Sequence, residues 1–198
     1  MRFKTENEGL YFFYTDSTKE NGFTLLCKDS LFPNQSTAVQ MLEPLIYLNR
    51  EINIDSLKNS QIGSKLELDK FWYFLANQNI EIAKEIIRVF YNRVYLSNIY
   101  FTDYKEGLKT DKGMIFIILG LPNSIRYKKN NEEWIYENRY EPENNVSFIF
   151  ENNETVNLNN SWLLKRNESY RRIWNEAIKS WKKGQVFNYY NYNQYSNE

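Results

Sequence analysis

The spacing of apolar residues along the chain predicts three helices. Apolar positions recur three and four residues apart over residues 64–76 and again over residues 80–100, as they do on the buried face of a helix. A third stripe runs over residues 168–183 and ends at Gly184, a residue type that commonly terminates helices. The first stripe consists of Leu68, Phe71, Trp72 and Leu75, and the third consists of Tyr170, Ile173, Trp174, Ala177, Ile178 and Trp181.

Shorter apolar runs at the start of the chain predict strands. Residues 9–15 and 22–28 are rich in aromatic and aliphatic side chains, and a polar, turn-rich segment separates them. This pattern is typical of a β-hairpin. A third strand is expected over residues 38–48, where Pro44 interrupts it.

The centre of the chain predicts the core of a sheet. Residues 114–119 are apolar at every position and lie between two glycines, so we expect a buried strand and not a helix. Alternating patterns over residues 133–137 and 146–150 predict antiparallel strands, and a tight turn then leads into residues 154–158. The expected fold is α+β, an antiparallel sheet with three helices packed mainly on one side.

Composition removes several classes of function. The 25 Lys and Arg residues balance 25 Asp and Glu residues, so the chain lacks the basic surplus of a dedicated nucleic-acid-binding protein. The absence of histidine removes imidazole catalysis and histidine-ligated metal sites. The glycine patterns of the P-loop and of dinucleotide-binding folds do not occur. We therefore predict no catalytic residue, no cofactor and no bound metal.

Two further features bear on the cellular setting. Cys27 is the single cysteine; it excludes an intramolecular disulfide and lies in an apolar run, where we expect a small core residue. No apolar stretch approaches the roughly 18 to 20 residues that cross a bilayer, and the N-terminus lacks the apolar region of a signal peptide. The expectation is a soluble chain without a transmembrane segment, or the mature part of a longer precursor, whose compartment these residues leave open.

The densest group of polar residues comprises Asp103, Glu106, Thr110 and Asp111. Three carboxylates and a hydroxyl could hold a hard cation such as calcium, or bind a substrate, although their spacing is not that of an EF-hand. The same residue types also build structured turns, because their side chains bond to nearby backbone groups. We favour the structured turn and keep the four residues as binding candidates.

Carbohydrate handling is a second possibility that the residues raise. Trp162 has the least periodic surroundings of the five tryptophans, so it is the one expected to be exposed and able to stack on a sugar. Glu132 and Glu133 form a carboxylate pair, but adjacent residues of a strand face opposite sides of the sheet. This pair is therefore a poor candidate for glycosidase chemistry.

One stretch has a specific order of residues. It reads Gly107-Leu108-Lys109-Thr110-Asp111-Lys112-Gly113, followed by the apolar run and then by Gly120-Leu121-Pro122. This order resembles the signature of the GWxTD-domain family, a bacterial family named for a Gly-Trp-x-Thr-Asp motif that precedes a basic-Gly pair, an apolar segment and a Gly-Pro-Pro-like turn. Flanking aromatic and basic residues follow in the family's order, so the resemblance covers roughly residues 40–184. Two residues depart from it: Leu108 replaces the tryptophan, and Leu121 replaces the first proline of the pair.

The motif residues have a structural interpretation that needs no ligand. Gly107 permits backbone conformations that other residues resist, and Thr110 and Asp111 can bond to backbone amides. Such a turn would fix the long helix against the central apolar segment. The residues expected to serve this structural role are Gly107, Thr110, Asp111, Gly113, Gly120 and Pro122.

The resemblance also implies a domain organisation and a setting. Family members look like exported, envelope-associated proteins with additional β-structure upstream, which suggests the periplasm or the outer membrane. Residues 1–48 would then be an N-terminal β segment at the edge of such a region, or its remnant. Residues 49–184 would be the GWxTD-like domain, and residues 185–198 a flexible Asn- and Tyr-rich tail with little to bury.

Three functions remain open at this point. The leading hypothesis is a non-enzymatic interaction or structural module that has a protein partner in a bacterial cell-envelope assembly. The alternative is a carboxylate-based enzyme or carbohydrate-binding domain that uses the loop of residues 103–111. A calcium-stabilised structural domain at the same loop is the third. The alternative requires that the loop carboxylates converge in one pocket beside an exposed aromatic side chain.

Overall fold

The described part of the chain is an α+β structure. A computed structural model describes residues 4–5, 7–14, 16–18, 22–49, 61–140, 142–152 and 161–189. Within these ranges it contains five α-helices and two antiparallel sheets, one of two strands and one of four. The α+β class predicted from the sequence is confirmed, but the arrangement differs in detail from one sheet with three helices.

The N-terminal hairpin is confirmed. Strands β1 (Gly9–Tyr14) and β2 (Gly22–Cys27) pair in antiparallel register. After β2, Lys28 forms ion pairs with Glu8 at 2.7 Å and with Glu106 at 3.2 Å. The second pair joins the hairpin to the residue that precedes Gly107. Cys27 is only half-buried at the end of its strand, so its expected place in the core is not observed.

The strand predicted over residues 38–48 is wrong, because this segment is helical. Helix α1 spans Ala38–Leu42 and continues into a 3-10 helix, Glu43–Tyr47. Thr37 and Gln40 form a reciprocal capping box at its start. Pro44 lies in the first turn of the 3-10 helix, where its fixed φ suits the helical backbone.

The first two predicted helices are confirmed. Helix α2 spans Gln61–Leu75 and helix α3 spans Ile80–Tyr100. The side chain of Asn79 caps α3 by accepting hydrogen bonds from two backbone N–H groups of the first turn. The helices meet through aromatic contacts, including an edge-to-face contact of Trp72 with Phe90 at 5.2 Å.

The strand predicted over residues 114–119 is also wrong, since helix α4 spans Asp111–Leu119. Thr110 caps this helix, and Gly120 ends it with φ of 85°. The helix is buried on nearly all sides, in contact with α3, with the last helix and with one edge of the larger sheet. A helix buried all round shows no polar face, so its sequence has no helical period to detect.

The larger sheet contains four antiparallel strands in the order β3-β4-β5-β6. They span Ser124–Tyr127, Asn131–Tyr136, Val146–Asn152 and Trp162–Leu164. Strands β4 and β5 confirm the predictions over residues 133–137 and 146–150 with shifted ends. The extended segment predicted over residues 154–158 lies outside the described residues.

The last helix is confirmed, and the segment after it is partly buried. Helix α5 spans Tyr170–Lys182, and the indole of its Trp181 donates a hydrogen bond to the carbonyl of Ile118 at 3.0 Å. Phe187 is 1% exposed and Tyr189 is 5% exposed, so this part of the expected flexible tail packs on the core. Residues 190–198 lie outside the described residues. No helix in the described ranges is long and apolar enough to cross a bilayer.

Candidate functional site

The motif turn, residues 107–113, brings three pieces of backbone into direct contact. A Cβ atom on Gly107 would lie 1.8 Å from the carbonyl oxygen of Ser97 in α3. A Cβ atom on Gly113 would lie 1.8 Å from the carbonyl oxygen of Gly107. Only glycine at both positions permits α3, the turn and the first turn of α4 to approach this closely.

Thr110 closes the motif turn on itself. Its hydroxyl donates to the carbonyl of Gly107 at 2.8 Å and accepts from the N–H of Gly113 at 3.0 Å. The side chain is 4% exposed, so both bonds are shielded from water. Thr110 therefore acts as the N-cap of α4 and as the brace of the turn.

Side chains at the end of α3 and in the 3-10 helix form further hydrogen bonds to the backbone of the motif turn. The Asn98 side chain accepts a hydrogen bond from the N–H of Leu108 at 2.9 Å, and Thr102 accepts one from the N–H of Gly107 at 2.9 Å. Tyr47 donates its hydroxyl to the carbonyl of Leu108 at 2.8 Å. Burial, together with the charges of nearby carboxylates, raises the pKa of Tyr47 to about 12, so it remains a donor at neutral pH.

Two of the predicted binding carboxylates belong to this scaffold. Asp111 accepts from the N–H of Leu164 at 2.7 Å and from the guanidinium of Arg166 at 3.1 Å, and so ties β6 to the start of α4. Glu106 pairs with Lys28 and with Lys109, each at 3.2 Å. Both carboxylates are thus used in contacts within the fold.

The other predicted residues meet in a separate cavity. Asp103, Thr110 and Trp162 line a groove of about 790 Å³, whereas Glu106 and Asp111 do not reach it. In the described ranges no cluster of three acidic or cysteine side chains could hold a metal ion. The carboxylates of residues 103–111 therefore do not converge, and the requirement of the enzyme hypothesis is not met by this loop.

We call this cavity the aromatic groove. Its walls come from the end of α3, from the turn after α4 and from β3, and its floor comes from α4, β4 and β6. The groove is lined by Leu96, Tyr100, Phe101, Thr102, Asp103, Thr110, Lys112, Phe116, Leu121, Pro122, Ile125, Tyr127, Glu132, Trp134 and Trp162. Three large side chains of its rim are mostly exposed to solvent: Tyr100 at 69%, Leu121 at 79% and Tyr127 at 73%.

A closed ion pair occupies the floor of the aromatic groove. The Lys112 ammonium lies 2.7 Å from one carboxylate oxygen of Glu132, and the Trp134 indole donates to the other at 2.6 Å. The ammonium also lies 4.1 Å from the ring centre of Trp162. Burial lowers the pKa of Lys112, and the hydrogen bond to Glu132 opposes that change. The two charges on the groove floor, Lys112 and Glu132, are therefore paired with each other.

Sequence reasoning missed the role of Glu132 in this pair, although the alternation along β4 contained the signal. As predicted for adjacent strand residues, Glu132 points into the core while Glu133 points outward and pairs with Arg126 at 2.9 Å. An inward-facing glutamate in a buried strand requires a cation. Lys112 lies in α4, so identifying it as that cation requires knowing that this segment is a helix.

Asp103 differs from the paired groups of the floor. It is half-buried, and its carboxylate accepts from the N–H of Lys105 at 3.0 Å without forming an ion pair with any described residue. Burial raises the pKa of Asp103, and the backbone hydrogen bonds and the charge of Lys105 counteract that rise only in part. Within the described part of the chain, the groove therefore contains one carboxylate that forms no ion pair.

The motif turn is the signature of a known family. The profile of the GWxTD domain matches residues 9–183, from the first strand of the hairpin to the end of α5. The chain belongs to the GWxTD-domain family. No curated protein and no solved structure matches it significantly. The family match begins earlier than the resemblance over residues 40–184, because it includes the β1–β2 hairpin.

The two departures from the family motif lie in different surroundings in this GWxTD domain. Leu108, which stands at the position of the tryptophan, is 2% exposed and does not line the aromatic groove. Leu121, which stands at the position of a proline, lies on the groove rim beside Pro122. In this chain the first departure therefore affects the core and the second affects the surface.

Proposed function

We propose that this GWxTD domain is a non-enzymatic protein-interaction module and that the aromatic groove is its binding surface. The observation that carries the proposal is the apolar rim, where Tyr100, Leu121 and Tyr127 remain mostly exposed around a cavity. Large apolar side chains clustered at a surface are typical of interaction sites, and tyrosine is enriched in their centres. A partner would bury this rim from water.

The polar groups of the aromatic groove support binding rather than catalysis. Lys112 and Glu132 are held to each other, and a general acid or base must instead be within reach of a substrate proton. Thr110 uses its hydroxyl within the motif turn, so it has no adjacent base to activate it as a nucleophile. This inventory favours recognition of a surface over chemical conversion.

We further propose that the partner is a component of a bacterial cell-envelope assembly. Membership of the GWxTD-domain family supports this setting, because members of that family resemble exported, envelope-associated proteins. The periplasm or the outer membrane is then the expected location.

Carbohydrate binding is the second candidate, since Asp103 and Trp162 line the same groove. Sugar recognition uses the free face of an aromatic ring together with polar groups beside it. Here one face of Trp162 is covered by the Lys112 ammonium at 4.1 Å, and the exposed rings on the rim belong to tyrosines. These contacts favour a protein partner.

The test is native co-purification with mass spectrometry, performed separately on membrane and soluble fractions. Three chains are compared: the parent, Leu121→Asp on the groove rim, and Phe74→Asp as a matched control. Phe74 is 63% exposed on α2 and does not line the groove. Both variants should retain the parent melting temperature, because each replaces an exposed side chain.

The proposal predicts a stoichiometric envelope protein that is retained by the parent and by Phe74→Asp and is lost with Leu121→Asp. Recovery of a lone protein from both fractions would refute it. A glycan array probed with the same three chains then tests the second candidate, which requires binding that Leu121→Asp abolishes.

A further inference from the structure

Strand β3 forms one edge of the larger sheet in the described part of the chain. All of its residues are exposed, and among the described strands only β4 pairs with it. The N–H of Lys128 bonds to the carbonyl of Asn131 at 2.8 Å, so these two residues form a hydrogen-bonded pair. Along an antiparallel ladder such pairs alternate with pairs that share no hydrogen bond. By that alternation the backbone groups of Ile125 and Tyr127 point away from β4.

The free edge of β3 and the aromatic groove adjoin each other. The two residues whose backbone points outward, Ile125 and Tyr127, also line the groove. On the opposite face of the sheet, the edge carries Arg126 and Lys128, and charged side chains of this kind discourage unspecific pairing. The groove side of β3 carries Ile125 and Tyr127 in place of charged side chains. A strand added here would place alternate side chains in the groove.

The charges that line the aromatic groove indicate which side chain fits it. Lys112 and Glu132 neutralise each other, so the carboxylate of Asp103 leaves the lining with one net negative charge. Lys105 acts on Asp103 electrostatically, but its ammonium lies over the ring of Tyr104 at 5.3 Å. Aromatic rings around the cavity also attract cations through their faces. Both features favour a lysine or arginine of the partner.

We propose that the groove binds an extended segment of a partner protein, which pairs with the free edge of β3 and places a lysine or arginine beside Asp103. Apolar residues at alternate positions of this segment would cover Tyr100, Leu121 and Tyr127. This inference rests on the proposed function and specifies the partner's chemistry. Main-chain hydrogen bonds supply affinity in this mode, and the side chains that enter the groove supply specificity.

The experiment starts from a phage-displayed library of random linear peptides, selected on the full chain and counter-selected on Leu121→Asp. We expect enriched peptides that carry one lysine or arginine, with apolar residues two positions away on either side. Fluorescence polarisation with a labelled synthetic copy of an enriched peptide then measures affinity. A library that yields no peptide dependent on Leu121 would overturn the inference.

One pair of variants tests the strand pairing. Tyr127→Ala and Tyr127→Pro both remove the ring, but only proline removes the outward N–H, which edge strands tolerate. We expect Tyr127→Pro to bind the peptide at least about tenfold more weakly than Tyr127→Ala. Equal affinities would exclude pairing along β3. Amide hydrogen exchange on the unmutated protein provides a second readout, in which the peptide should protect Ile125 and Tyr127.

A second pair of measurements tests the charge at Asp103. Asp103→Asn should weaken the basic peptide about tenfold and leave a peptide with methionine in place of its lysine or arginine unaffected. Asp69→Asn, which changes an exposed carboxylate on α2, is the matched control. If Asp103→Asn leaves the affinity for the basic peptide unchanged, the cationic side chain does not bind there.

The same variants separate this inference from the proposed function. If the co-purified partner is lost with Leu121→Asp but retained by Tyr127→Pro and Asp103→Asn, the interaction module stands and the extended basic segment is wrong. If the partner also survives Leu121→Asp, the aromatic groove is not the binding surface and both proposals fail.

Discussion

The motif turn and the aromatic groove share Thr110 but use their polar groups in opposite ways. In the motif turn, the backbone groups of Gly107, Leu108 and Gly113 all find partners within the fold. In the groove, the rim leaves apolar side chains in water, and Asp103 forms no ion pair with any described residue. The polar groups of the turn are thus satisfied within the fold, whereas the groove leaves large apolar side chains exposed to solvent.

The family signature and the proposed binding surface are therefore different parts of the molecule. The residues that define the motif hold α3, α4 and β6 together. These elements carry part of the groove lining, and β3, β4 and the turn after α4 carry the rest. A rigid scaffold that presents exposed side chains is a common arrangement for recognition. In this chain the motif residues therefore stabilise the fold, and the proposed interaction depends on the exposed residues beside them.

The largest effect is expected on the groove floor, from Lys112→Met. This change leaves Glu132 buried without its cation, and breaking one partner of a buried pair costs about 3 to 5 kcal/mol of unfolding free energy. Lys65→Met is the matched control, since its ion pair with Asp69 has the same 2.7 Å distance but is exposed. Urea unfolding measures both variants. The double variant Lys112→Met/Glu132→Gln should recover part of the loss; an additive loss would show that the pair is not coupled.

Gly107→Ala should have the next largest effect, in the motif turn. The added methyl would meet the carbonyl of Ser97 at 1.8 Å, and backbone atoms cannot move aside as a flexible side chain can. We expect a loss of about 3 kcal/mol, measured by thermal and urea unfolding. Lys109→Ala, on the exposed side of the same turn, should cost less than about 0.5 kcal/mol. A Gly107→Ala protein as stable as the parent would contradict the close contact of α3 with the turn.

Asp111→Ala distinguishes a structural carboxylate from a cation ligand. Loss of its bonds to Leu164 and Arg166 should lower the unfolding free energy by about 2 kcal/mol. Calcium should leave the melting temperature of both the parent and the variant unchanged, because in the described ranges no metal cluster surrounds this residue. A calcium-dependent rise in the parent that Asp111→Ala abolishes would support the calcium-stabilised domain instead.

Asp103→Asn should have the smallest effect on stability, and unlike the preceding variants it should raise the free energy of unfolding. Burial raises the pKa of Asp103 in the folded protein, so the folded chain binds this proton more tightly than the unfolded chain. The ionised carboxylate therefore lowers stability at neutral pH, and the loss disappears as the pH falls through the raised pKa. We expect Asp103→Asn to raise the unfolding free energy by less than about 0.5 kcal/mol, because the group is half exposed. Urea unfolding at neutral and acidic pH measures it; a destabilised variant would place Asp103 in the scaffold.

Part of the fold followed directly from the sequence. Helices α2, α3 and α5 each have one buried face, and strands β4 and β5 alternate between core and solvent, so their patterns have a detectable period. Helix α4 has no such period because most of its residues are buried, and its apolar run was interpreted as a strand. The short apolar segment of α1 predicts a strand interrupted at Pro44, whereas in the structure Pro44 lies at the start of a 3-10 helix.

The candidate site could be predicted only in part, for a related reason. Weak periodicity makes Trp162 a binding candidate and local composition makes Asp103 and Thr110 candidates, and all three line one groove. Glu106 and Asp111 were named on the same grounds, yet Lys28 and Arg166 hold them elsewhere. Residue type limits what chemistry is available, but the direction of each side chain depends on the element that carries it.

The sequence by itself determined the family, the α+β class and the lack of histidine chemistry, because these depend on residue identity and on periods within single elements. Tertiary structure alone decided that Lys112 meets Glu132 and that Tyr100, Leu121 and Tyr127 surround one cavity. These contacts join residues distant in the chain, and packing of α3, α4 and the sheet sets their distances. No local pattern encodes such a distance, since it is fixed by how separate elements bury their apolar faces against one another.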